Sequence, residues 1–212
     1  VHVNGKVVTE LGTKVCWGVD LIVVDGRKIP APSPRVYLML NKPFGYVCSL
    51  RDPEGRPIAN HLLQDIPQRV YPVGRLDFDS LGLLLFTNDG QWAYRLTHPR
   101  FKVAKTYKVT VQGKVTESAI GYLTKGVLIE EKKSVSCKVV PVNLYGDRSV
   151  LRMTITQGKA RQIRRMMEAV GHPVIQLMRI GFGNLTLGNL KVGQYRYLEA
   201  SEVISLTRVV KD

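Results

Sequence analysis

From residue 36 onward the chain carries a succession of short apolar runs, VYLML, GLLLFT, TYKVTV, CKVVPV and VLRMTIT, each too short for a helix and most rich in β-branched or aromatic residues. Helical patterns separate only some of them, near 58–64, 91–96, 117–124 and 161–170. Strands that mostly follow one another through turns, without strict strand–helix alternation, predict an α+β fold: a mixed, mostly antiparallel sheet with flanking helices. With 212 residues the chain has room for one medium domain and a small appendage.

The appendage comes first. VHVNGKVV and DLIVVDGRKI each read as strand, turn, strand, with Asn4-Gly5 and Asp25-Gly26 at positions where a hairpin needs positive φ. PAPSPR follows, and prolines at 30, 32 and 34 suppress regular hydrogen bonding there, so 31–35 reads as a linker between a β unit at 1–30 and the main domain at 36–212.

Charge narrows the partners. Thirty-one Lys and Arg against 17 Asp and Glu leave +14, an excess that concentrates polyanions, of which nucleic acid is the commonest. The basic residues are dispersed, with no polybasic block or basic amphipathic helix for a membrane surface. Cys16, Cys48 and Cys137 lie far apart and the histidines have no ligand spacing, so no metal site is expected and the thiols suit a reducing compartment. No signal peptide pattern and no bilayer-length apolar run are present; a cytoplasmic protein is expected.

Three stretches can carry chemistry. In VGRLDFDSLGLLLFTNDG, Asp77 sits between Leu76 and Phe78, where desolvation raises a carboxylate's pKa unless a cation holds it ionised. Arg75 shares its face if the segment is extended. R-x-D alone is equally well a structural ion pair or a turn, and Asp79 and Ser80 have that simpler character. In TQGKARQIRRMMEAVGHPV, Ile163, Met166, Met167 and Val170 form a core stripe, while Arg161, Arg164 and Arg165 cluster within little more than a turn and can meet phosphates or a buried carboxylate. In KTYKV, Tyr107 lies in a strand among Lys105 and Lys108, suited either to a core or to base stacking.

Taken together and in order, LNKPFGYVCS, VGRLDFDSLGLLLFTNDG, KTYKV, GKARQIRRMMEAVGHPV and LMRIGFGNLTL resemble the pseudouridine synthases of the RsuA/RluB type, and the likeness runs from about Val36 to Leu206. The opening VHVNGKVVTELGTKV is similar to the second half of an S4 RNA-binding domain. The resemblance implies the pseudouridine synthase catalytic fold and a reaction without metal or cofactor, in which a uridine of structured RNA is detached at its N-glycosidic bond, turned, and rejoined through carbon. It implies that Asp77 is the essential aspartate, Arg164 its cationic partner, Arg75 the residue that fills the gap left by the flipped nucleotide, Tyr107 the ring that stacks on uracil, and Leu177 the packing on the other side. Lys105, Lys159, Arg161, Arg165 and Arg179 are phosphate contacts on the strength of charge. The implied partner is ribosomal RNA, IPQRVYPVGRLD looks more like the large-subunit enzymes, and a monomer is expected.

Other classes fit less well. A non-catalytic RNA-binding assembly protein needs the basic surface and not the set Asp77, Tyr107 and Arg164. A glycoside hydrolase needs a second carboxylate to work with Asp77. An RNA methyltransferase needs a glycine-rich strand-to-helix turn for its nucleotide cofactor, which is missing here.

Overall fold

The computed structural model describes residues 1–31, 33–130 and 133–209, in two compact units, Val1–Arg35 and Val36–Asp212. The linker expected at 31–35 includes residue 32, which lies outside the described residues.

The first unit consists of two hairpins. β1 (His2–Val3) turns through Asn4 (φ 51°) and Gly5 (φ 80°) into β2 (Lys6–Val7). β3 (Ile22–Val24) turns through Asp25 (φ 49°) and Gly26 (φ 75°) into β4 (Arg27–Lys28). Paired positive φ angles make both turns the tight kind that matches strand twist, as the Asn-Gly and Asp-Gly pairs predict. β1 also pairs with β3, giving one antiparallel sheet ordered β2-β1-β3-β4.

The second unit is built on a nine-stranded sheet. Its strands are β5 (Tyr37–Lys42), β6 (Tyr71–Val73), β7 (Ser80–Thr87), β8 (Lys105–Gln112), β11 (Lys138–Leu144), β12 (Arg148–Ile155), β13 (Val174–Phe182), β14 (Leu185–Thr186) and β15 (Tyr195–Tyr197). β9 (Val127–Glu130) and β10 (Lys133–Val135) form a separate hairpin. The main path runs β11-β12-β8-β13-β7-β5-β15, with β14 on β13 and β6 on β7. Every pairing is antiparallel except β7 with β13, which run parallel at the centre.

The two halves of this sheet are covered differently. In β7, Leu84 and Phe86 enter one core cluster while Leu83 and Leu85 enter the other, and in β5 Leu40 and Met39 divide the same way. An uninterrupted apolar run is what a strand buried on both faces requires. In β8 and β12, by contrast, Tyr107, Val109, Leu151 and Met153 are buried while the alternate residues Lys108 and Arg152 are exposed. The polar end of the GLLLFTNDG stretch secures the double-sided half. Thr87 Oγ1 donates to the Val36 carbonyl, the Val36 amide donates to Asn88 Oδ1, and Asp89 accepts from Trp92 N to cap α1 (Gly90–Thr97).

The remaining helices are α2 (Glu117–Lys125), capped by Thr116, then α3 (Gln162–Ala169) and α4 (Ala200–Val209). Two sequence expectations change, and two elements appear that no expectation covered. The segment expected as a helix at 58–64 is a 3-10 turn over Ala59–Leu63, too short for α-helical nucleation between Pro57 and Pro67. Arg161, expected inside the helix at 161–170, is the left-handed N-cap residue of α3 at φ 51°. β13 and α4 were not predicted; β13 carries Arg179 in mid-strand, which breaks the apolar pattern.

Candidate active site

One cavity of about 620 Å³ opens on the side of the sheet that α3 covers, within the usual range for a small-ligand site. Asp77 reaches it from the loop between β6 and β7. Gly74 begins that loop at φ 74°, and three backbone contacts hold it: the Leu76 amide donates to Cys48 Sγ at 3.3 Å, Gly45 N donates to the Phe78 carbonyl at 2.9 Å, and Ser80 N donates to the Asp77 carbonyl at 3.0 Å. The carboxylate is half-buried beside Leu76.

Neighbouring strands supply further lining. Tyr107 on β8 stands in register with Arg179 on β13, and Leu177 lies two residues before Arg179, so their side chains project from one face. Leu177 is also in register with Ser80, the first residue of β7, which ties this lining to the Asp77 turn. Tyr107 and Leu177 are both buried, and both line the cavity with Asp77, Arg75, Lys105, Lys159, Arg161 and Arg179. Of the sequence-predicted site residues, Arg164 and Arg165 alone are not part of its lining.

Arg164 has a different partner from the one expected. Its Nη2 donates to Asp79, to the backbone carbonyl at 3.0 Å and to Oδ2 at 3.1 Å, and its Nη1 donates to the Val174 carbonyl. Arg161 Nη1 reaches the same Asp79 Oδ2 at 3.2 Å. Two arginines at the start of α3 therefore clamp Asp79, two residues beyond Asp77, and among the described residues no ion pair to the Asp77 carboxylate occurs. The Asp79 carbonyl and carboxylate together hold the guanidinium at Asp79.

Arg179 differs from its expectation as well. It is 1% exposed, its Nε donates to the Leu83 carbonyl at 2.7 Å, its guanidinium lies 5.3 Å from the Phe182 ring centre, and Nη2 has no partner. This is a buried cation with an unpaired donor, not a surface phosphate contact. Lys105 approaches the same ring at 5.4 Å; burial, and then the charge of Arg179, lower its pKa to about 8.

Lys42 was not singled out in the sequence. It ends β5 with no exposure, donating to the Pro43 and Tyr46 carbonyls. Burial lowers its pKa to about 8, against the attraction of Cys48, Asp79 and Asp77. A lysine closing an apolar strand was the available signal. Burial in turn pushes the Cys48 thiol up. Among the described residues no group of three His, Cys, Asp or Glu side chains could hold a metal ion, and no helix is long and apolar enough to cross a membrane.

A carboxylate facing an aromatic ring and an aliphatic side chain across a cavity rich in cations is an arrangement for holding a flat base beside a reactive acid, on a nucleic acid strand. The family described as RNA pseudouridylate synthase matches residues 36–169, and the chain belongs to it. Within that family it is of the RsuA/RluB type. It is 43% identical over 205 residues to ribosomal large subunit pseudouridine synthase B of Bacillus subtilis (strain 168), covering 96% of this chain and 83% of that protein. It is 36% identical over 207 residues to ribosomal small subunit pseudouridine synthase A of Escherichia coli (strain K12), covering 97% of this chain and 88% of that one. A crystal structure of a pseudouridylate synthase superposes with a TM-score of 0.76 at 33% identity, over 97% of this chain and 87% of that one. The protein is an isomerase acting on RNA.

Proposed function

We propose that the protein converts one uridine of ribosomal RNA to pseudouridine, and that the RNA is that of the large subunit, where its identity to a named relative is higher. The observation that carries the reading is the placement of Asp77 in one cavity with Tyr107 and Leu177. The N1–C1′ bond breaks, a C5–C1′ bond forms, C5 loses a proton and N1 gains one, so the reaction balances without any redox partner. Asp77 acts on the flipped nucleotide as nucleophile or base. Tyr107 stacks on the uracil, Leu177 packs on its other face, and Arg75 occupies the gap the nucleotide leaves, which lowers the cost of flipping. Lys105, Lys159 and Arg161 meet the backbone phosphates, and Arg165 extends that basic border. Arg164 acts at one remove, holding Asp79 and with it the loop that presents Asp77. Residues 1–30 serve as an S4-like unit that adds RNA contacts, and the enzyme works as a monomer.

The test is to incubate the protein, with no added metal or cofactor, with unmodified bacterial ribosomal RNA and map pseudouridine by carbodiimide-blocked primer extension. A single stop in large-subunit RNA that vanishes in Asp77→Asn is expected, with Tyr107→Phe active and Tyr107→Leu inactive. Wild-type conversion by Asp77→Asn contradicts the assignment of the carboxylate, and a stop confined to small-subunit RNA contradicts the substrate.

A further inference from the structure

The uncovered half of the sheet holds a second concavity, on the opposite face from the cavity because Lys108 and Tyr107 are successive residues of one strand. It measures about 660 Å³, and Phe44, Lys108, Tyr145, Arg148 and Ile175 contribute to its lining. We propose that this groove binds single-stranded RNA flanking the target uridine.

Charge is the first argument. Lys108 in the groove lining and Arg152, on the same face but outside that lining, are directly opposite each other on β8 and β12, both exposed, and among the described residues neither has an acidic partner. Like charges in that position repel, and a phosphate lying across them removes the repulsion. Arg148 adds a third cation on the same face of β12, four residues from Arg152, roughly 13 Å along the strand. The sole carboxylate in the groove lining among the described residues is Asp79, already held by Arg161 and Arg164.

The aromatic side chains are the second. Phe44 is 60% exposed and Tyr145 48% exposed, and the Arg148 guanidinium lies 5.6 Å from the Tyr145 ring centre. Solvent-facing rings beside cations are what unpaired bases stack on, with phosphates nearby. In a duplex those base faces are already stacked, so the occupant is a single strand.

The third is continuity. Asp77 lines the catalytic cavity, Asp79 lines the groove, and Phe78 between them is 40% exposed with its ring 5.9 Å from that of Phe44. A strand whose uridine enters the cavity can pass over Phe78 and Phe44 onto the groove without leaving the surface. The inference needs the family activity on RNA, and not the choice of ribosomal substrate.

None of Phe44, Tyr145, Lys108 and Arg148 lines the catalytic cavity, and three of the four are exposed side chains on turns or strand ends, so the variants should fold. The first measurement is fluorescence anisotropy with labelled oligouridylate, which needs no turnover. Phe44→Ala/Tyr145→Ala should weaken binding by about 30-fold or more, the share of two stacked bases. Lys108→Ser/Arg148→Ser should reduce the slope of log affinity against log salt by about 1.4, the share of two phosphate contacts on a single strand. The second measurement uses the RNA segment mapped above, with and without its single-stranded flanks: the aromatic variant should raise KM on the flanked RNA, leave kcat unchanged, and match wild type on the trimmed RNA. Unchanged oligouridylate affinity and salt slope in both variants would overturn the proposal, as would a KM for wild type that ignores the flanks. Altered sedimentation of the aromatic variant with RNA binding intact would assign the groove to a second copy of the chain instead. Absence of pseudouridine in every RNA, with the anisotropy losses intact, would count against the ribosomal substrate and in favour of the groove.

Discussion

Gly82→Ala tests whether the parallel seam between β7 and β13 sets the geometry of the site. Gly82 has φ 102°, and a Cβ placed on it would lie 2.2 Å from the Arg179 carbonyl oxygen and 2.9 Å from the Arg179 nitrogen. Both are backbone atoms, so no side chain can swing away. Reaching ordinary contact at 3.4 Å means parting the two strands by about an ångström. Positive φ costs an L-residue about 1–2 kcal/mol, and the overpacking costs a further ~1–3 kcal/mol. In a domain of this size each kcal/mol lowers Tm by about 2–4 °C, so the expected fall is roughly 4–20 °C. Activity should suffer separately. Leu177 is registered against Ser80, whose amide closes the Asp77 turn, so the same parting moves one wall of the cavity relative to the carboxylate. A displacement of that size can cost about 100-fold in rate. The assay pairs thermal unfolding with single-turnover pseudouridine formation at a temperature where the variant is folded. Gly90→Ala is the control: it opens α1, meets nothing within 4 Å, and should be neutral or stabilising. A Gly82→Ala protein that melts within about 2 °C of wild type and turns over normally would refute the reasoning.

Asp79→Ala leaves Arg164, 13% exposed, without its carboxylate, and should cost about 2–4 kcal/mol in an unfolding titration; kcat should fall while RNA affinity holds, and wild-type kcat would remove Asp79 and Arg164 from the positioning of Asp77. Lys105 is held at a pKa of about 8 against 10.5 when unfolded, so the folded state pays for its charge below pH 8 and that cost fades as pH rises towards 10.5. Lys105→Met should therefore melt higher than wild type at pH 7, with the advantage shrinking between pH 8 and 10; a constant difference across that range would contradict it.

Much of this was legible because short motifs combine local and tertiary demands. Asn-Gly and Asp-Gly named both hairpins, the unbroken GLLLF run named a strand, and Asp77, Tyr107 and Leu177 do share a cavity. What failed was the reading of charge. Arg179 looked like a surface residue because its burial depends on the Leu83 carbonyl and the Phe182 ring, one of them far away in sequence. That same arginine keeps β13 from reading as a strand. Arg164 is held at Asp79 where the sequence pointed to Asp77, since two aspartates separated by one residue point to different sides of a turn that only the structure orients. Lys42 escaped notice because its partners are backbone carbonyls, which no side-chain pattern announces.

The central parallel pairing also bears on how the enzyme comes into being. β7 and β13 are joined by everything from α1 through α3, so loop-closure entropy must be met before their contact repays it, and such pairings are intrinsically slow to form. Until β13 arrives, a nascent chain already carries Asp77 and Tyr107 but leaves Ser80–Gly82 of β7 unpaired on the flank that β6 covers only from Leu85 to Thr87. That is the kind of edge that recruits other chains. Acquisition of the catalytic wall and escape from aggregation are then a single late event, and conditions that delay it lower the yield of soluble protein and of activity together.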